Sequence, residues 1–265
     1  MFQNIAEEVI YTNEEETSSK TKNILKTLFS IQDIILYIVS FGVSIVGFGG
    51  EVAPFGLAML AAVCSNKIPM AIVFILTSIG TLIGFGKETA LIYILTSLIF
   101  IASILIKTPK VQNHSRNEQK KLGLNLIFSI IIVQAIKTIF TDFYIYNVLT
   151  SFILVISAYV FYKIFANSLI VIKEHSKVFT IEEVIGASLL ISIAICSLGN
   201  LSIFGLSIKN ILSIMLVLFL GWKKGMLVGS TAGITIGVVL GIIGATNPIL
   251  IAAYAVSRNA SRNSK

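Results

Sequence analysis

The side chains able to do chemistry are few, and most stand alone. Lys137 and Lys209 lie inside long apolar runs, and an ionisable group held in lipid marks an ion path, a proton relay or an anchoring point. Glu51, Glu88 and Asp142 sit at the edges of neighbouring runs. They are the acids that would pair with the two lysines in an outward-facing polar site. The alternative is mechanical. Lys137 is three residues and Lys209 six residues from the outer end of its run, roughly 5–9 Å along a helix, so both stems can snorkel to the interface. Both readings stay open at the level of sequence. Glu182 and Glu183 have a simpler use, because Thr180-Ile181-Glu182-Glu183 fits the capping box at a helix start. Thr180 and Glu183 are read as that cap. His114 and His175 are isolated, and Cys64 and Cys196 lie in separate apolar runs, so neither metal-ligand spacing nor a disulfide framework is present. No residue is assigned as catalytic, cofactor-binding or metal-ligating, and no cofactor is expected.

The most specific pattern has no polar atoms at all. Gly221, Gly225, Gly229, Gly233, Gly237 and Gly241 recur at strict four-residue spacing. Helices in lipid gain little from hydrophobic attraction, and small residues let their backbones approach closely. A glycine in a helix interior costs about 1 kcal/mol against alanine, which argues that a partner helix fills this groove. The partner is either another helix of the same chain or a second copy, giving a homo-oligomer. A phosphate-binding loop would need a strand before the glycines and Lys-Ser/Thr after them, and neither is there.

These residues must be carried by apolar elements. Of 265 residues, 55 % are hydrophobic and 12 % charged, and mean hydropathy is +0.92. Soluble domains carry about 25 % charge. Such a chain lacks the polar surface to face water, which excludes most soluble enzymes, nucleic-acid modules and disulfide scaffolds. The runs are continuous, where barrel strands would alternate over roughly 10 residues. The fold class is therefore all-α, a polytopic transmembrane bundle of about ten helices. Its windows are Ile31–Gly49, Val52–Ser65, Ile68–Phe85, Glu88–Ile106, Leu122–Phe140, Phe143–Phe165, Ile181–Gly199, Ile203–Gly221, Gly225–Ile243 and Asn247–Ser257. About 20 residues cross the hydrocarbon core, so the second window is marginal and the tenth short. Gly49, Gly50 and Pro54 break the helix ahead of the second.

Charge placement decides whether the second window crosses. With the N-terminus cytoplasmic and ten crossings, every Lys and Arg of the net +7 chain lies inside except Lys87, Lys137 and Lys209. Making the second window re-entrant inverts every later loop and abolishes the bias, against the positive-inside rule. Both termini are thus placed in the cytoplasm. Residues 1–30 form a polar, uncleaved tail, 31–257 the membrane domain and 258–265 a short basic tail. The basic stretch from Lys107 to Lys121 suits an anionic lipid surface.

Three stretches carry a family likeness: Glu51-Val52-Ala53-Pro54-Phe55-Gly56-Leu57-Ala58, then Val178-Phe179-Thr180-Ile181-Glu182-Glu183, then Leu206-Ser207-Ile208-Lys209-Asn210-Ile211-Leu212-Ser213, which leads on to Gly225. In order and spacing they resemble the N-terminal membrane region of stage II sporulation protein E of endospore-forming bacteria. The resemblance implies a plasma-membrane protein at the asymmetric sporulation septum, in contact with division proteins. It also implies a C-terminal, Mg²⁺- or Mn²⁺-dependent serine phosphatase of the PP2C type that activates the forespore sigma factor. This chain departs from that pattern. It runs Arg258 to Lys265 where the last span would continue, an apparent truncation, and no acidic residue follows Glu183. No catalytic residue is carried over, and the chain is read as a non-enzyme.

The function expected is an integral membrane anchor that localises and oligomerises, with the lipid bilayer as its main partner and no nucleic acid. The alternative is a small secondary transporter, since broken helices build substrate sites. The break at Gly49, Gly50 and Pro54, however, has no counterpart in the second half.

Overall fold

The computed structural model describes residues 31–48, 52–66, 68–107, 116–140, 144–173, 180–199, 201–203 and 205–243. The tails 1–30 and 258–265, the tenth window Asn247–Ser257, and Gly49, Gly50, Glu51, Asp142, His114 and His175 lie outside them. Helix α1 (Ile31–Ile45) leads into an antiparallel bridge, Phe48 N–H to Val52 O at 2.9 Å and Val52 N–H to Phe48 O at 3.2 Å. Helix α2 (Pro54–Ser65) follows. Pro54 occupies its first turn, where a missing N–H breaks no helical bond. At the other end, the Asn66 side chain donates to Ala62 O at 2.9 Å and to Ala166 O at 3.0 Å.

Helix α3 (Met70–Lys107) has 38 residues but is not one rod. Gly86, at φ 81 and ψ −175, turns it into limbs 70–85 and 87–107. The hydroxyl of Tyr93 donates to Thr77 Oγ1 at 2.7 Å, sixteen residues away; on a straight helix those residues would stand about 24 Å apart. The third and fourth windows are therefore a helical hairpin whose corner is a single glycine. Helices α4 (Arg116–Phe140), α5 (Ile145–Lys173) and α6 (Ile181–Cys196) come next. A small antiparallel hairpin, β1 (Ser202–Ile203) with β2 (Leu206–Ser207), precedes α7 (Ile208–Lys224) and α8 (Met226–Ile243). The eighth window thus begins as strand, with Gly205 at φ 78 in its turn, and becomes helical only at Ile208. The described residues hold eight helices, α3 being folded in two.

Helix α2 is the centre of the molecule. Eleven of its 12 residues are buried, and it packs on α5 above all, then on α3, α1 and α4. Small residues, Gly56, Ala58, Ala61 and Ala62, let its neighbours close in on every side. Phe55 meets Phe161 of α5 edge-on, with ring centroids 4.7 Å apart at 87°, and Phe48 and Phe165 extend this cluster. Around it, α1 packs on α3, and α6 packs on α1 and α5; α8 lies between α6 and α7.

The core is apolar but threaded with hydroxyls, and the exterior is apolar as well. Apart from Lys209, the buried polar side chains described are all Ser or Thr. Many bond a carbonyl one turn back: Ser40 to Leu36 O at 2.7 Å, Thr81 to Thr77 O at 2.8 Å, Ser129 to Asn125 O at 2.8 Å. Such bonds satisfy a hydroxyl without water. The exterior is Ile, Leu and Phe, with Phe140 85 %, Ile145 82 % and Trp222 82 % exposed. A contiguous apolar surface of this extent does not persist on a protein in water, whereas lipid accepts it. By length and apolarity, Met70–Ile106, Glu118–Phe140 and Ile145–Ile170 are sufficient to cross a membrane, and the first of these contains both limbs of α3. The chain is an all-α membrane protein.

Candidate functional site

The glycine ladder is distributed over a corner. Gly225, at φ 88 and ψ 173, separates α7 from α8 in nearly the backbone conformation of Gly86. Essentially only glycine adopts it, since a Cβ would collide with the residue's own backbone. Gly221 and Gly229 face each other across the corner, and a Cβ built on Gly229 would lie 2.5 Å from Gly221 Cα and 3.0 Å from Gly221 N. The two backbones are in direct contact. Further along α8, Gly233 and Gly237 are buried and Gly241 is half-buried, on a helix packed against α6 and α7. The six glycines therefore do not form one continuous stripe, because the second of them ends a helix.

A second glycine seam escaped the sequence reading. Gly80 and Gly84 on the first limb of α3 sit against α1: a Cβ on Gly80 would meet Ser44 and would stand 2.9 Å from Phe41 O, and one on Gly84 would meet the Ile45 carbonyl. A Cβ on Gly42 would likewise stand 3.1 Å from Ala194 O, and one on Gly123 would meet the Tyr159 ring. The Gly80-to-Gly84 spacing was visible in the chain but was hidden within an unbroken apolar window.

Thr180 and Glu183 cap α6 reciprocally. Glu183 N–H donates to Thr180 Oγ1 at 3.3 Å and Thr180 N–H donates to Glu183 Oε2 at 2.8 Å. With Glu182 they place two carboxylates in the first turn, where the helix dipole favours negative charge. Of the three residues read as the break before α2, Pro54 starts the helix, and Gly49 and Gly50 lie outside the described residues.

Lys137 lines a small cleft of about 70 Å³ at one end of the bundle, beside Thr89, Thr96, Gln134, Thr150 and Ser151. Ser151 Oγ donates to Gln134 Oε1 at 3.1 Å within it. Of the acids expected near Lys137, Glu88 is exposed, and Glu51 and Asp142 lie outside the described residues. Lys209 behaves differently. At 6 % exposure it is buried within protein in the first turn of α7, so its stem does not run out along a lipid-facing surface. Cys64 and Cys196 are free thiols. Among the described residues no group of three or more His, Cys, Asp or Glu is placed to hold a metal ion.

No curated protein and no solved structure matches the chain. Residues 2–257 match the family described as SpoIIE, N-terminal domain, and no phosphatase domain is found among the matches. That match covers the three stretches quoted above together with both glycine seams and α2. The chain belongs to the SpoIIE N-terminal domain family.

Proposed function

We propose that the chain is the membrane anchor of a SpoIIE-type protein, a multi-pass module that holds its place in the bacterial plasma membrane at the sporulation septum and performs no bond chemistry. The observation that carries this reading is the apolar exterior of the bundle, where Ile, Leu and Phe side chains stand exposed along its helices. The positive-inside bias supports cytoplasmic termini, and the family supports the septum and its division proteins as surroundings. Self-association belongs to the same reading. Because Gly229, Gly233 and Gly237 are buried in the single chain, contacts between copies would use outward faces such as that of α7. The transporter reading is disfavoured by position, since the cleft at Lys137 lies three residues from the end of α4 and transport sites sit near the bilayer midplane.

A fluorescent fusion followed through sporulation tests the anchor. Wild-type chain should concentrate at the asymmetric septum and remain in the membrane fraction after carbonate washing. Gly229→Leu with Gly233→Leu should disperse it. Septal enrichment unchanged in that variant would sink the structural part of the proposal, and release by carbonate would sink the membrane part.

A further inference from the structure

A second polar cleft lies at the opposite end of α4 and α5 from Lys137. It encloses about 230 Å³ and is lined by Gln119 and Lys120 of α4 and by Tyr162, Lys163, Ala166 and Asn167 of α5. Two cations and two side-chain amides face it, and none of its six lining residues is acidic. Its floor is fixed, because the Tyr162 hydroxyl donates to Gln119 O at 2.9 Å and ties the helices together. Lys163 is also held, with its Nζ 4.9 Å from the centre of the Tyr159 ring, a cation–π contact.

The depth of the cleft matches a bilayer surface. Lys120 is 20 residues from Phe140, and Lys163 is 18 residues from Ile145. At the helical rise these are about 30 Å and 27 Å, close to the roughly 30 Å hydrocarbon thickness. Both ammonium groups therefore stand at the level of lipid phosphates when the far ends reach the opposite interface. Below them the surface turns apolar in register. Leu124 and Phe128 follow Lys120 at four-residue steps, and Val160 and Ile156 precede Lys163 by three and seven residues; all four are exposed. Residues at such spacings share a helix face. A cationic, amide-bearing mouth above two apolar stripes matches a molecule with an anionic head and two acyl chains, and a free anion would use only the upper half.

Resting on the membrane reading above, we propose that this cleft binds the phosphate headgroup of an anionic phospholipid, with Lys120 and Lys163 flanking the phosphate and Gln119 and Asn167 bonding its oxygens. Basic clefts between helices at the cytoplasmic face are suited to such headgroups.

The test uses the full chain in nanodiscs of phosphatidylcholine alone or of phosphatidylcholine and phosphatidylglycerol in equal parts, with retained lipid read by native mass spectrometry. Wild-type chain should retain phosphatidylglycerol in preference to phosphatidylcholine. Lys120→Gln with Lys163→Gln should lose about thirtyfold of that preference, two lysines at the usual strength of a basic residue facing anionic lipid. Lys223→Gln, at an exposed lysine of α7, should lose little. Lys163→Gln alone serves if the double variant fails to incorporate, with a loss of about fivefold. Equal losses for the cleft and Lys223 variants would overturn the site. Stabilisation of the wild-type chain by inorganic phosphate, with no preference for phosphatidylglycerol, would overturn the lipid as occupant. Failure of the wild-type chain to enter nanodiscs of either composition would overturn the membrane reading instead.

Discussion

Replacing Gly225 by alanine isolates the backbone term of the α7–α8 corner. A Cβ there meets nothing within 4 Å, so no packing is lost or strained, and the whole effect arises from holding an L-residue at φ 88 and ψ 173. Backbone held in such a glycine-only region costs on the order of 1–3 kcal/mol per residue. In a domain of this size each kcal/mol moves the unfolding midpoint by about 2–4 °C, so Gly225→Ala should lower it by about 2–12 °C in detergent micelles. Gly86→Ala, at the matching corner of α3, should behave alike, since Gly86 also has a positive φ and open space at its Cβ. Gly229→Ala is the informative contrast. There the new Cβ lies 2.5 Å from Gly221 Cα, and a backbone atom cannot swing aside as a flexible side chain would, so the helices must separate; overpacking of this kind typically costs about 1–3 kcal/mol. The distinguishing measurement is a second substitution. Enlarging Gly225 further, from Ala to Ser, should add little because nothing lies within 4 Å of the Cβ, while enlarging Gly229 from Ala to Ser should add substantially. A Gly225→Ala chain that melts with the wild type would refute the argument that this torsion closes the hairpin.

The other expectations concern the cap and the centre. Thr180→Ala should destabilise the chain by about 1 kcal/mol, and Glu183→Ala in the same background should add less than it does alone, since the two bonds form one reciprocal box; thermal melts of the two single variants and the double variant decide this. Phe55→Ala removes a fully buried ring from the cluster with Phe48 and Phe161 and should cost about 3–5 kcal/mol, read as a lowered midpoint or as loss of monodisperse protein on size-exclusion chromatography.

Legibility followed the range of the interaction. The Thr180 box involves four consecutive residues, and local chemistry suffices to find it. The break around Gly86 was equally visible as an edge between two windows, flanked by Phe85 and Lys87. That one glycine closes the hairpin was not visible, because it depends on a torsion that composition does not encode. The same gap explains the ladder, where six equally spaced glycines suggest one stripe and the positive φ of Gly225 cuts it. The encasement of α2 had a signal in its small residues, but only the assembled bundle shows that four helices surround it. The strands at Ser202–Ile203 and Leu206–Ser207 are too short to alternate detectably. The burial of Lys209 is a product of helix packing, which no local rule could supply.

Encasement of α2 also constrains the order in which the chain is made. Asn66 at its end bonds Ala166, 100 residues later, and α5 is its principal neighbour. Ribosomes add roughly 5–20 residues per second, so α2 leaves the exit tunnel several seconds before its main partner exists. A 12-residue rod, about 18 Å long, is too short to rest stably across the hydrocarbon by itself. The segment therefore reaches its final burial only after α5 has been made, so the centre of the bundle is completed late in synthesis although it is encoded early.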